Sequence, residues 1–218
     1  MYTTRSGMKN NAVFLTYHDS LLRESDVHLL RGPHWLNDSI IGFYMEYLSH
    51  EVYPDHELLF ISPEVTQCMK ESPKTEQHIF LDPLYKEHSY VFFPLNNNEA
   101  LDYAGGTHWS LLIYSRNQNS FFHFDSSTGV NSSAANKLAL KIHYYFNKST
   151  DDFRMIEMNC VQQDNSYDCG IYLLVFIDQL AKAAANHGEL SNYVLMDRTL
   201  SVNKRSDLLS LVYRLRAR

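Results

Sequence analysis

The sequence predicts an α+β fold, with a helical N-terminal part and a sheet-centred remainder, on three observations. Apolar residues recur at helical spacing from Ile40 to Leu48. Short apolar runs bounded by turn formers crowd the middle, at Tyr90 to Leu95, His108 to Tyr114 and Ser120 to Phe124. A helix-forming stretch, about Ser132 to Phe146, then leads to a further strand-like run, Phe153 to Met158, which is the order of a crossover unit in a mixed sheet.

The elements follow in order. Met1 to Asn11 is polar, so residues 1–12 are expected to be a flexible N-terminus and 13–218 a single domain, built as two lobes sharing a cleft. After Val13-Phe14-Leu15, Asp19 or Ser20 is expected to cap a short helix through Leu30, stopped by Gly32-Pro33. Asn37 or Asp38 caps the next, which runs to about Leu48 and carries Ile40, Ile41, Tyr44, Tyr47 and Leu48 on its apolar face. Ser62-Pro63-Glu64 starts another, with Ser as cap and Pro in the first turn. Asn96-Asn97-Asn98 takes the Tyr90 strand into a polar loop that ends at Gly105-Gly106. Arg116 to Asn119 reads as the turn of a hairpin. Gly170 to Ala185 is apolar and helix-forming, and a last helix, about Ser206 to Leu215, has arginines near its end, where cations suit the dipole.

Composition narrows the functional classes. With 44% hydrophobic and 13% aromatic residues the chain can bury a full core, which excludes disorder. A formal net charge of −6 argues against nucleic acid as a partner and fits one with a basic contact surface. No apolar run approaches the roughly 18 residues that span a bilayer, and the N-terminus has no secretory pattern, so an intracellular location is expected. Three cysteines without CxxC spacing read as free thiols, and none of the eleven histidines pairs at HxxxH or HxH spacing, so no metal site is expected.

One thiol stands apart. Cys169 follows the polar run Gln163-Asp164-Asn165-Ser166-Tyr167-Asp168 and opens the helix that continues at Gly170. The positive end of a helix dipole favours a thiolate there, and Gly170 removes bulk where a substrate would approach. Cys68, inside a helix, and Cys160, at a strand end, read as packed or incidental. Context alone leaves a packed and a reactive Cys169 equally open. A reactive thiol needs a base and a group to orient it. His108, entering a strand from Gly105-Gly106-Thr107, is the best candidate; His123, mid-strand, reads as packed. Asp125 ends the strand that would pair with the His108 strand, so it could face the imidazole. Taken alone, it equally suits a turn or helix cap before Ser126-Ser127.

The order His, Asp, Cys brings in a resemblance. Gly106-Thr107-His108-Trp109-Ser110-Leu111, Phe124-Asp125-Ser126 and Gln163-Asp164-Asn165-Ser166-Tyr167-Asp168-Cys169-Gly170 resemble the signature of the Ulp/SENP cysteine proteases, as does Trp35-Leu36-Asn37-Asp38. Phe60-Ile61-Ser62-Pro63-Glu64-Val65-Thr66-Gln67 is similar to the deneddylase branch of that family. The resemblance implies a papain-like Ulp fold with the catalytic cysteine at the start of a central helix. It implies Cys169 as nucleophile, His108 as general base and acid, Asp125 as the orienting carboxylate and Gln163 as an oxyanion donor. Val161 departs from the pattern, standing where many relatives have proline. Trp35 and Trp109 match residues that wall a narrow channel over a diglycine tail. Asp38 would meet an arginine of that tail, or act only as a helix cap, and the loop from Asn96 to Gly106, with Glu99 and Asp102, would close over the modifier.

The implied reaction is hydrolysis of the bond after the C-terminal Gly-Gly of a ubiquitin-like modifier. In this branch that is the neddylation modifier, cut from its precursor or from lysines of targets such as cullins. No cofactor, no metal, no nucleic-acid partner and no membrane partner are implied, and the enzyme would be a cytoplasmic or nuclear monomer. The alternatives are a SUMO-specific protease with the same catalytic set, a module that binds the modifier without cutting it, and a related enzyme that transfers acetyl groups.

Overall fold

A computed structural model describes residues 11–54, 57–81, 88–100, 105–186, 188–193, 197 and 199–218. The N-terminal segment expected to be flexible lies outside the described residues up to position 10. The chain opens with a hairpin of β1 (Val13–Tyr17) and β2 (Ser20–Arg23), followed by α1 (Glu24–Leu29). The single helix expected from Asp19 or Ser20 is therefore only its second half. Leu22 is buried while Leu21 is exposed, the period of a strand. Pairing with β1 and a distant carboxylate decide the matter: Glu46 accepts the turn N–H groups of Asp19 and Ser20 at 2.9 and 3.1 Å.

α2 (Asp38–Tyr47) is capped by Asn37, whose side-chain oxygen accepts from the Ile40 N–H at 3.2 Å. It continues into a π-helical turn, Leu48–Val52. β3 (Leu58–Phe60) leads to α3 (Pro63–Glu71), capped by Ser62 with Pro63 in the first turn, as the sequence predicts. After the short α4 (His78–Leu81) come β4 (Tyr90–Asn96), β5 (Trp109–Ser115) and β6 (Ser120–Phe124). The β5–β6 turn ends at Asn119, which takes φ +42°, a conformation asparagine tolerates better than most. α5 (Ser132–Asn147) crosses over to β7 (Met155–Glu157), shorter than expected but in parallel with β6. α6 (Cys169–Ala185), α7 (Thr199–Val202) and α8 (Lys204–Arg216) complete the chain.

The central sheet is mixed, in the order β3-β4-β5-β6-β7, with parallel outer pairs and antiparallel inner ones. Alternation of side chains sorts its core into two layers. Phe92, Leu111, Ile113, Phe122 and Phe124 face α6, α2 and α8, whereas Val91, Phe93, Leu95, Leu112, Tyr114 and Phe121 face α3 and α5. Both faces are covered, which is why the three inner strands read as continuous apolar runs. No helix among the described residues is long and apolar enough to cross a membrane.

One glycine serves packing and not substrate access. A Cβ on Gly170 would lie 2.9 Å from Leu36 Cβ, so α6 and the segment before α2 meet in contact at this point. Gly170→Ala is expected to lower Tm by several degrees. Overpacking costs about 1–3 kcal/mol, more than the ~1 kcal/mol that alanine gains in helix propensity. A thermal melt at matched concentration checks this.

Candidate active site

Two helices point their N-termini at one end of the sheet from opposite faces. α6 begins with Cys169, and α5 begins beside Asp125, whose Oδ2 accepts the Asn131 main-chain N–H at 3.0 Å. Between them His108 precedes β5 and Asp125 follows β6. The ladder ends at Leu111 and Phe124, so one further step puts Asp125 beside Ser110 and within diagonal reach of His108. Its Oδ1 lies 2.6 Å from His108 Nε2 and also accepts the Ser127 N–H at 2.9 Å. Asp125 is thus both the cap and the imidazole partner, roles the sequence left open. With Nε2 so engaged, Nδ1 is the ring nitrogen left for Cys169, which lines the same cleft.

The segment entering β5 is braced by the asparagine run. Asn97 Oδ1 accepts the Thr107 and His108 N–H groups at 2.7 and 3.2 Å. Gly106 has φ +79°, and a Cβ there would stand 1.8 Å from Asn96 Oδ1. On the outer side, Gln67 Nε2 donates to the carbonyls of Asn98 and Ala100 at 2.8 Å, and the buried Lys70 ammonium donates to those of Asn96 and Asn98 at 2.5 Å. Glu99 is exposed beside these anchors, while Asp102 lies outside the described residues.

The loop before Cys169 is equally tied. Asn165 Oδ1 accepts the N–H groups of Tyr167 and Asp168 at 3.0 and 2.9 Å. Arg205 of α8 donates to Asp168 Oδ1 through Nη2 at 2.6 Å, and to the carbonyls of Leu29 and His34 at 2.8 and 2.7 Å. Gln163 Oε1 accepts the Ser126 hydroxyl at 2.7 Å, and its Nε2 donates to the Asn165 carbonyl at 2.6 Å. One Nε2 hydrogen remains for another acceptor. Gln163 is set back from the cleft wall.

The cleft itself measures about 540 Å³ and is lined by Trp35, Asp38, His108, Trp109 and Cys169, with Glu64, Gln67 and Cys68 opposite. Trp35 is 48% exposed, its indole N–H tied to the Ser166 carbonyl at 2.7 Å. Trp109 is 9% exposed and packs in the core as well, with its N–H on the Leu36 carbonyl at 3.0 Å. Asp38 is exposed, lines the cleft and is not the cap of α2, and its Oδ1 accepts the Ser39 N–H at 2.9 Å. Cys68, read from sequence as incidental, lines the cleft wall. Cys160 is buried, donates its S–H to the Asp125 carbonyl at 3.3 Å, and burial pushes its thiol up to about 11. The sequence also gave no sign of Asn131, Ser126 or Arg205 as site residues: each is a polar residue of a common type, and only its long-range partner marks it. Among the described residues no group of three or more His, Cys, Asp or Glu side chains is placed to hold a metal ion.

Residues 34–205 match the Ulp1 protease family, C-terminal catalytic domain, which is most of the chain. The chain belongs to the Ulp1 protease family. It is a cysteine protease, and curated relatives agree. Sentrin-specific protease 8 of Mus musculus is 41% identical over 206 residues, covering 93% of each chain. The Homo sapiens protein of that name is 44% identical over 173 residues, 78% of this chain and 82% of its own. NEDD8-specific protease 1 of Arabidopsis thaliana is 36% identical over 163 residues, 73% and 71% of the two chains. Among solved structures, the C-terminal Ulp1 protease domain in complex with Smt3, the yeast ortholog of SUMO, superposes with a TM-score of 0.72. At 18% identity over 96% of this chain and 90% of that one, it shows the Ulp fold alone.

The electrostatics suit such chemistry. Burial disfavours charge on His108, but the hydrogen bonds and charges of Asp125 and Cys169 outweigh it and raise the imidazole from 6.5 to about 9. Burial likewise opposes ionised Asp125, yet His108 and the N–H groups of Asn131 and Ser127 hold its carboxyl below the usual carboxylate range. A raised histidine stabilises the fold fully below its unfolded value and loses that contribution as pH rises through its folded value. NMR titration of the His108 ring is therefore expected to show a midpoint near 9, falling toward 6.5 in Asp125→Asn. The stability the pair supplies should fade over the same alkaline range.

Proposed function

We propose that this Ulp1-family protease is a deneddylase that cuts after the C-terminal Gly-Gly of NEDD8, with Cys169, His108, Asp125 and Gln163 as its catalytic set. The observation that carries the chemistry is the buried Asp125–His108 pair meeting the thiol at the start of α6, inside the cleft. The choice of modifier rests on the relatives named as NEDD8-specific and on sentrin-specific protease 8.

The Cys169 sulfur attacks the carbonyl of the last glycine, and the new C–S bond forms as the carbonyl electrons move to oxygen. The second Nε2 hydrogen of Gln163 and the Cys169 main-chain N–H, at a helix end with no partner inside the helix, receive that oxyanion. The oxyanion collapses and the C–N bond breaks. The His108 imidazolium gives its proton to the leaving lysine or peptide amine, then takes one from the water that cleaves the thioester. Asp125 holds the ring throughout. Trp35 and Trp109 wall the approach, where glycine alone would pass between rigid rings, and the exposed Asp38 carboxylate would meet a basic residue of the tail. Precursors and lysine conjugates, cullins among them, are the substrates in this reading. A monomeric enzyme of the cytoplasm or nucleus belongs to the same reading, supported by three free thiols.

NEDD8 ending in an electrophile should capture the intact enzyme and leave Cys169→Ala unmodified; no adduct with the intact chain sinks the proposal. Side-by-side cleavage of tail-labelled NEDD8, SUMO and ubiquitin tests the modifier, and a preference for SUMO overturns that part. Gln163→Ala is expected to lower kcat on the order of a hundredfold with NEDD8 binding nearly unchanged. Equal loss of binding would refute the oxyanion role.

A further inference from the structure

Behind the catalytic pair, on the α5 face of the sheet, a polar chain that the chemistry above does not use runs from the buried Asn131 out to the exposed Glu157. His123, 0% exposed, stands between two partners: Nδ1 lies 2.7 Å from Glu157 Oε2, and Nε2 lies 2.9 Å from Ser110 Oγ. Asn131, equally buried, sets Nδ2 2.9 Å from the same Ser110 oxygen, 3.1 Å from the Leu95 carbonyl and 3.4 Å from the carbonyl of His108. Its main-chain N–H is the donor to Asp125 Oδ2 already described.

Valence fixes the direction of the outer bonds, and a neutral ring that of the middle one. Nδ2 of Asn131 can only donate, so Ser110 accepts from it. Glu157 as a carboxylate can only accept, so His123 carries its proton on Nδ1 and offers a lone pair at Nε2. The Ser110 hydroxyl then donates to that lone pair. Burial opposes ionised Glu157, but the hydrogen bond from His123 holds its carboxyl below the usual range, which keeps it an acceptor. Each donor in the chain meets an acceptor, and the order runs one way, from Asn131 to Glu157. His123, 0% exposed, thus has a partner at both nitrogens.

We propose that Glu157, His123, Ser110 and Asn131 form a positioning relay that fixes the His108 main chain and the Asp125 carboxylate, and so sets the catalytic imidazole in place. None of the four touches substrate. The proposal rests on the catalytic roles of His108, Asp125 and Cys169 given above. Ser110 is the joint: without its oxygen, Asn131 loses an acceptor, His123 loses a donor, and the Asn131 amide is free to turn away from the His108 carbonyl. The Asn131 main-chain N–H on Asp125 Oδ2 does not turn with the side-chain amide, so the loss reaches the imidazole through the His108 carbonyl. Buried networks of this kind respond as units, because each member's geometry depends on the next.

The test compares Ser110→Ala, His123→Phe, His123→Gln and the double variant Ser110→Ala/His123→Phe, with turnover of tail-labelled NEDD8 expressed per active site titrated by the electrophilic modifier. Ser110→Ala and His123→Phe should each lower kcat on the order of tenfold with KM nearly unchanged, within the hundredfold that an ångström of misplacement can cost. The double variant should lose no more than the worse single one, as expected for members of one chain. His123→Gln, which can still accept from Ser110, should restore most of the rate, and the His108 NMR midpoint should fall in the variants that break the chain. A purely structural role would lower Tm while leaving the rate per titrated site intact, and that result overturns the relay, as do losses that multiply in the double variant. Ser110→Ala removes a single oxygen and decides the matter if His123→Phe does not fold. Asp125→Asn, measured alongside, separates the two readings: if it keeps full activity, the catalytic assignment fails; if it is inactive while Ser110→Ala is unimpaired, only the relay fails.

Discussion

The structure depends on a buried hydrogen bond, the 2.6 Å contact of His108 Nε2 with Asp125 Oδ1, held where the sheet ends between two helix N-termini. A histidine and a carboxylate that are both under a tenth exposed would each be costly alone. Together they are tolerable because the remaining oxygen sites of Asp125 are filled by main-chain N–H groups at the start of α5 and in the turn before it. The mixed sheet supplies the two strand ends, and its two faces supply the helices. Moving either helix would leave a charge without its compensation.

That arrangement explains why the chain spends so many polar side chains on loops. Asn97 braces the approach to His108, Asn165 shapes the turn before Cys169, and Ser126 orients the Gln163 amide. Lys70 and Gln67 satisfy carbonyls on the outer flank of the cleft. Each replaces a regular ladder of main-chain bonds where the chain must leave regular structure to present a reactive group. The cleft can then present two indole rings and an exposed carboxylate between these braced segments.

Much of the fold was legible because periodicity and caps act locally. Asn37, Ser62 and the apolar runs of β4, β5 and β6 each specify an element within a few residues. β2 was not legible: Ser20–Arg23 is too short to show a period, and its state is decided by β1 and by Glu46, 26 residues away. β3, a three-residue strand in parallel with β4, was hidden for the same reason. In the site, the resemblance to the Ulp/SENP signature singled out Cys169, His108 and Gln163, whereas Asp125 taken alone looked like a cap, and it does accept the Ser127 and Asn131 N–H groups. Asn131 and Arg205 could not be read at all, since their roles are defined by partners from other elements. Gly170 was read correctly as a place where bulk is excluded, but the excluding neighbour is Leu36 and not a substrate.

Arg205 ties distant parts of the chain together. Its guanidinium joins carbonyls at Leu29 and His34 to the carboxylate just before the nucleophile, so the start and the end of the chain are stapled at the same turn. The His108–Asp125 hairpin is local and can form early, whereas this staple is among the most sequence-distant contacts in the molecule, 171 to 176 residues apart. The turn before Cys169 is therefore complete only when α8 is docked against the segment between α1 and α2. Loosening α8 would release three polar groups at that turn together, so damage at the far end of the fold would be felt beside Cys169.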